Sequence, residues 1–298
     1  MTPNRRGFLR TLPLAAAAAA APTVSGIASP AAAADLTRNS PRSPFKLGLV
    51  TYNLAKDWDV PTILKNCAAT GFEGVELRTT HRHGVEVTLK PQARAEVRKR
   101  FADSPVELMG LGSAFDYHTP DPAKLRADIF ATKDYIVLAQ DVGASGVKVR
   151  PNGLPKEVAV EKTLEQIGAS LLELGRFAKD HGQVIRLEVH GTGTSLLPHV
   201  QTIMNHARHP NVGVCWNSNQ TDLEGDGLDA NFRRVQDRIV SVHLRDLYLD
   251  EYPWSRLFRL LADSGFRGYT LAEIGESSDP IRVMRYFRAL WLAQQGIG

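Results

Sequence analysis

Apolar and polar positions along the chain fall into one unit that repeats eight times: a short β-rich apolar run, then a longer stretch with helical spacing. The runs are Leu47–Thr51, Gly74–Leu77, Val106–Leu111, Gly146–Val149, Val184–Val189, Val212–Trp216, Ile239–Leu244 and Tyr269–Ile274. Between and after them the pattern predicts helices over Val60–Thr70, Lys90–Ala102, Ala123–Val142, a segment ending at His181-Gly182, Leu197–Ala207, Asp229–Gln236, Trp254–Ser264 and Ile281–Gln294. In the third helix Leu125, Ile129, Thr132, Ile136 and Ala139 keep a 4-3-4-3 spacing. The strands are nearly continuous apolar runs, as strands covered on both faces must be. Each connection is long enough for a crossover helix between parallel strands.

Eight such units in about 250 residues predict an α/β protein, a single (β/α)8 TIM barrel. An open, doubly wound sheet usually carries a glycine-rich phosphate loop after its first strand. Here Tyr52-Asn53-Leu54 follows instead, which favours the barrel.

The N-terminus departs from this pattern. Asn4-Arg5-Arg6-Gly7-Phe8-Leu9-Arg10 precedes an alanine-rich apolar stretch from Leu12 to Ala21, and Ala31–Ala34 precede Asp35. Basic, then apolar, then small residues read as a secretory signal, and the paired arginines resemble a bacterial twin-arginine export signal. Residues 1–34 are therefore expected to be a cleaved signal peptide and 35–44 a polar tether, with the barrel over 45–298. Pro13 and Pro22 bracket the apolar stretch, too short for a membrane anchor of about 20 residues. The expectation is a periplasmic or extracellular protein, delivered by the twin-arginine machinery and without stable membrane association after cleavage.

Composition adds two exclusions. With 43% hydrophobic and 23% charged residues the chain is neither disordered nor fibrous. Three of its four net positive charges lie in residues 1–34, so the remainder carries +1 and no nucleic-acid partner is expected. Cys67 and Cys215 fall on a predicted helix and a predicted strand, and read as two buried thiols.

Barrels of this kind place catalytic groups at the C-terminal strand ends. Those ends carry Glu76 and Arg78, Asp116 and His118, Arg150, Glu188 and His190, Asn217 and Asn219, His243, Arg245 and Asp246, Glu273 and Glu276. Alternation puts Glu188 with His190, and His243 with Arg245, on one side of their strands. Glu188, His243 and Glu273 lie inside apolar strands, where an unpaired carboxylate costs several kcal/mol. Two carboxylates and an imidazole suit one divalent cation, Mn, Mg, Co or Zn. The alternative is buried ion pairs, Glu188 with Arg186 or Arg150 and Glu273 with Arg245. His81, His83, His199, His206 and His209 read as surface residues.

The stretches Phe72–Leu77, Arg186–Gly191, Asn211–Asn217, Val242–Asp246 and Gly268–Glu273, in this order, resemble the xylose-isomerase-like superfamily of sugar isomerases and epimerases. The resemblance covers Lys46 to Gln294. It implies metal ligands at Glu188, Asn217, His243 and Glu273, with the neutral Asn217 standing where the family carries an aspartate. It also implies chemistry on a small carbohydrate or polyol, and by analogy alone a homo-oligomer. The expected reaction removes a proton next to a carbonyl through an enediolate, with Glu188 and Glu273 as acid and base. Glu76, His118, Arg150, His190, Arg245 and Asp246 are expected around the substrate, Asp246 by orienting His243 or Arg245. A lyase acting on a keto sugar or inosose through the same enolate, and a non-catalytic carbohydrate-binding barrel, are the alternatives.

Overall fold

The structure, a computed structural model, describes residues 43–297, so the expected signal segment and most of the tether lie outside the described residues. Eight parallel strands close on themselves in sequence order, β1 pairing with β8 as well as with β2. They are β1 Lys46–Val50, β2 Gly74–Arg78, β3 Glu107–Gly112, β4 Gly146–Val149, β5 Val184–Glu188, β6 Val212–Asn217, β7 Ile239–Leu244 and β8 Tyr269–Ala272. The helices between and after them are α1 Val60–Thr70, α2 Pro91–Ala102, α3 Pro122–Val142, α4 Val160–Asp180, α5 Leu197–His206, α6 Gly227–Val235, α7 Trp254–Asp263 and α8 Pro280–Gln294. The expected (β/α)8 barrel is thus the observed fold.

Helix boundaries follow local chemistry. Asp59, Asp121 and Asp279 accept hydrogen bonds from the first free N–H groups of α1, α3 and α8, each of which has proline in its first turn. Left-handed Gly71 and Gly143 end α1 and α3. In α3, the spaced residues Ile129, Thr132, Ile136 and Ala139 are all buried. Both thiols, Cys67 and Cys215, are buried and free. Among the described residues no helix is long and apolar enough to cross a membrane.

One large apolar cluster fills the space between strands and helices, and a small one (Val50, Met109, Tyr269 and Leu271) is separate from it. Around the small cluster the strands carry residues that are not apolar. Arg186 is buried, with Nη2 donating to Ser145 Oγ at 2.8 Å. Gly146 makes room for it: a Cβ there would lie 2.1 Å from the Val184 carbonyl oxygen and 2.7 Å from Arg186 Nη1. Two positions further along β4 and β5, on the same side of each strand, stand Lys148 and Glu188. The period of two therefore carries one family of side chains from Arg186 up to the strand ends.

Replacing Gly146 by alanine forces the β4–β5 backbones apart, since the nearest atom is a carbonyl oxygen and not a flexible side chain end. Gly146→Ala should lower stability by about 1–3 kcal/mol, the usual range for overpacking, measured by urea unfolding.

Candidate active site

Glu188 ends β5 and His243 lies one residue before the end of β7, both buried. Glu273 follows the last residue of β8, held by its N–H to the Leu244 carbonyl at 2.9 Å, with its side chain 21% exposed. His243 Nδ1 lies 3.6 Å from both Glu188 Oε1 and Glu273 Oε2. Its Nε2 faces buried Glu76 on β2 at 3.4 Å. One ligand atom from each of Glu188, His243 and Glu273 falls within 4.8 Å of the others. Above them opens a cavity of about 370 Å3 lined by Tyr52, Arg78, Lys148, Arg150, His190 and Asn219, among others.

Lys148 of β4 is the residue that holds this cluster together. Its Nζ donates to Glu188 Oε2 at 2.7 Å and to the Ser113 carbonyl at 3.3 Å, almost wholly shielded from solvent. Asn217 Nδ2 donates to the other oxygen, Glu188 Oε1, at 3.2 Å. Burial alone would raise the Glu188 pKa, but the Lys148 ammonium and the His243 ring outweigh it and hold that carboxyl well below the usual range. Burial likewise opposes charge on His243; Cys215, Glu76 and Glu273 outweigh it and raise its pKa well above the ordinary imidazole value.

The family described as xylose isomerase-like TIM barrel matches residues 64–290. The chain belongs to this family. No curated protein sequence matches it significantly. Among solved structures it is similar to 3-keto-D-glucoside 4-epimerase YcjR from E. coli, at 17% identity and a TM-score of 0.68, over 84% of this chain and 99% of that one. It is also similar to D-psicose 3-epimerase from Clostridium cellulolyticum H10, at 14% identity and a TM-score of 0.69, over 85% and 99% of the two chains. A third similar structure is the IolI protein with a bound zinc atom, at 16% identity and a TM-score of 0.68, over 84% and 98%. At these identities the likeness is one of fold.

Within this xylose-isomerase-like barrel, the donor set fits a divalent cation. His243 Nδ1 is buried without a hydrogen-bond partner, and it sits between two carboxylates that one ion reaches together with it. Asn217 gives its amide N–H to Glu188, so the fourth position of the expected ligand set adds no negative charge. Asn219 turns its amide to the Val189 carbonyl at 2.7 Å.

The other expected residues divide. Arg150, His190 and Arg245 line the cavity. Burial lowers the His190 pKa, and its Nδ1 lies 3.1 Å from Asn152 Oδ1, an arrangement that leaves Nε2 of the neutral ring as acceptor. The β4 and β5 loops touch here: Gly191 is left-handed (φ 91°), and a Cβ on it would lie 2.6 Å from the Asn152 backbone. Glu76 does not reach the cavity but lies beneath His243. His118 lies in a neighbouring groove with Asp116, their side chains 3.1 Å apart. Asp246 is absent from the cavity wall, and among the described residues it forms no ion pair with Arg245 or His243.

Three sequence readings need correcting. Glu188 pairs with Lys148, not with Arg186 or Arg150: Lys148 is level with Arg186, one pleat below Glu188, and its long side chain reaches Glu188 Oε2 at 2.7 Å, while Arg150 turns to the Ala114 and Phe115 carbonyls. Glu273 faces His243 and not Arg245, whose Nε is taken by the Ser218 carbonyl at 2.6 Å. His83 is buried, with Nε2 at 2.8 Å from the Arg78 carbonyl and Nδ1 accepting from the Val85 N–H, so it braces the loop after β2. Lys148 itself, Tyr52 and the loop residue Asn152 lie outside the candidates that the sequence pattern gives. A lysine inside the short apolar run Gly146–Val149, two positions before Arg150, was the available signal.

Lys148→Met leaves Glu188 buried without its cation. Stability should fall by about 3–5 kcal/mol, and adding Glu188→Gln to the same chain should recover most of that loss in urea unfolding.

Asp222, behind the site, gives a pH signature. It is buried, accepts from Tyr252 Oη at 2.7 Å and from the Asn219 N–H at 3.0 Å, and burial pushes its carboxyl up to about 8. The folded chain thus keeps a proton that the unfolded chain releases above a pH of about 4. The stability this gives is complete below that pH and lost as pH rises through about 8. Asp222→Asn removes the dependence, so the Tm of the variant relative to the parent should climb steadily between pH 5 and pH 8.5, roughly that window.

Proposed function

We propose that this chain is a metal-dependent sugar isomerase or epimerase that shifts a proton on the carbon next to a substrate carbonyl. The observation that carries the reading is the convergence of Glu188, His243 and Glu273 donor atoms within 4.8 Å below an open polar cavity. A divalent cation held by these three residues supplies Lewis-acid polarisation of a carbonyl oxygen. The named activities of similar folds, two of them sugar epimerases, agree with this reading.

The two carboxylates are not equivalent. Both oxygens of Glu188 are engaged, by Lys148 and by Asn217. Glu273 is the more exposed and faces the cavity. Glu273 therefore takes the substrate proton, and the C–H electron pair moves toward the carbonyl oxygen to leave an enediolate. Return of the proton by Glu273 to the adjacent carbon gives the isomer; a solvent proton delivered to the opposite face of the same carbon gives the epimer. Glu188, fixed by Lys148 and Asn217 on its two oxygens, holds the geometry of the site around His243. His190 and Asn219 supply hydrogen bonds for hydroxyls. Tyr52, 43% exposed and stacked on His81, offers a flat face for the C–H side of a sugar ring. A leaving group β to the carbonyl is expelled from the same enediolate, which makes elimination a second outcome of one mechanism.

Export belongs to the proposal too. Arg5-Arg6, the alanine-rich stretch and Ala31–Ala34 support delivery by the twin-arginine route and action on an extracytoplasmic carbohydrate or polyol.

The test is proton exchange. Incubated with manganese and a panel of ketoses in deuterated water, the parent should introduce deuterium at a carbon next to the carbonyl, read by NMR. Glu273→Gln should slow this by about 100-fold or more while keeping the circular dichroism spectrum. A Glu273→Gln chain that exchanges at the parental rate removes Glu273 from the role given to it.

A further inference from the structure

The cavity wall carries more positive charge than its acid–base pair explains. Arg78, Lys148, Arg150 and Arg245 line it, against the carboxylates of Glu188 and Glu273. Those two carboxylates already face Lys148 and His243. The three arginines come from the last residue of β2 and from the positions just after β4 and β7. Among the described residues none of the three forms an ion pair. Other described arginines do form ion pairs, among them Arg94–Asp141, Arg126–Glu173 and Arg256–Asp229.

Backbone carbonyls hold the three heads instead. Arg78 Nη1 donates to the Thr79 carbonyl at 2.9 Å, Arg150 Nη2 to the Ala114 carbonyl at 3.3 Å, and Arg245 Nε to the Ser218 carbonyl at 2.6 Å. A carbonyl orients a guanidinium without neutralising it. Two donor nitrogens are left over: Arg150 Nε and Arg245 Nη2 are buried and have no acceptor. Leaving a buried charged donor unmade is unfavourable, and a guanidinium matches the planar oxygens of a carboxylate or phosphate in a way that lone hydroxyls do not. The nearest acids do not fill the gap, since burial disfavours the ionised forms of both Asp246 and Asp222.

We infer that the substrate of this cavity carries an oxyanion, a carboxylate or a phosphate, in addition to its carbonyl and hydroxyls, and that Arg150 and Arg245, with Arg78, bind it. The inference rests on the proposed sugar chemistry and narrows its substrate to keto sugar acids or phosphorylated ketoses. The arginines then act in recognition, setting which sugar is held over Glu273.

Binding, not turnover, tests this. The full-length chain, treated with chelator so that no cation adds to anion affinity, is titrated calorimetrically with D-fructose, 2-keto-D-gluconate and D-fructose 6-phosphate. One of the two anions should bind about tenfold or more tighter than D-fructose, and which one does so separates carboxylate from phosphate as the source. The advantage should shrink with added salt and disappear in Arg150→Gln/Arg245→Gln. Equal affinities, preference for D-fructose, absence of binding by all three, or an anion preference that survives the double variant would each overturn the inference. The parental ranking decides the matter even if the variant does not fold. Proton exchange without anion preference keeps the isomerase reading and sinks this one; anion preference without exchange does the reverse.

Discussion

A buried ammonium–carboxylate contact underlies the upper part of this barrel. Glu76, Glu188 and His243 are all shielded from water within a few ångströms of one another, a set that desolvation would neutralise or expel. Lys148, itself buried, supplies the positive charge that lets Glu188 remain a carboxylate there. With Asn217 on the second oxygen, Glu188 becomes a fixed point around which His243 and Glu273 are disposed. Asn217 makes sense beside Lys148: a second carboxylate in that position would add charge to a site whose cation is already committed.

Closure of the sheet brings these groups together. Eight parallel strands in cyclic order bring β2, β4, β5, β7 and β8 to one mouth, although Glu76 and Glu273 are far apart in sequence. The side-chain period of two then sorts each strand into a face toward the helices and a face toward the axis. Along the axis the order runs from the Tyr269–Leu271 cluster and Arg186, through Lys148 and Glu188, to the arginines at the rim. The buried lower layers keep the dielectric low under the site, and that strengthens every charge–charge contact above them.

Division of labour between the carboxylates follows from the same geometry. Glu188 is hemmed in by two strands and their donors. Glu273, one residue beyond β8 and held by its N–H to the last carbonyl of β7, has gained exposure. A one-residue difference in where a strand ends separates the anchored group from the available one.

Much of this was legible beforehand. The apolar runs located all eight strands to within a residue or two, because strands buried on both faces must be apolar and their helices must show the 3.6 period. Glu188, His243 and Glu273 stood out because charged groups interrupt those runs. What periodicity does not contain is height along the barrel axis and the choice of partner across strands. Lys148 and Arg150 both lay near Glu188 in any plausible barrel; only the folded chain, in which Arg150 turns to the Ala114 and Phe115 carbonyls and Lys148 reaches up one pleat from beside Arg186, decided that the lysine takes the carboxylate and the arginine goes without. His118 and Asp246, at strand ends like the rest, were carried off by their loops. Strand identity and facing are local properties of the chain, whereas pairing of charges depends on distances between segments far apart in sequence, and those exist only once the barrel has closed.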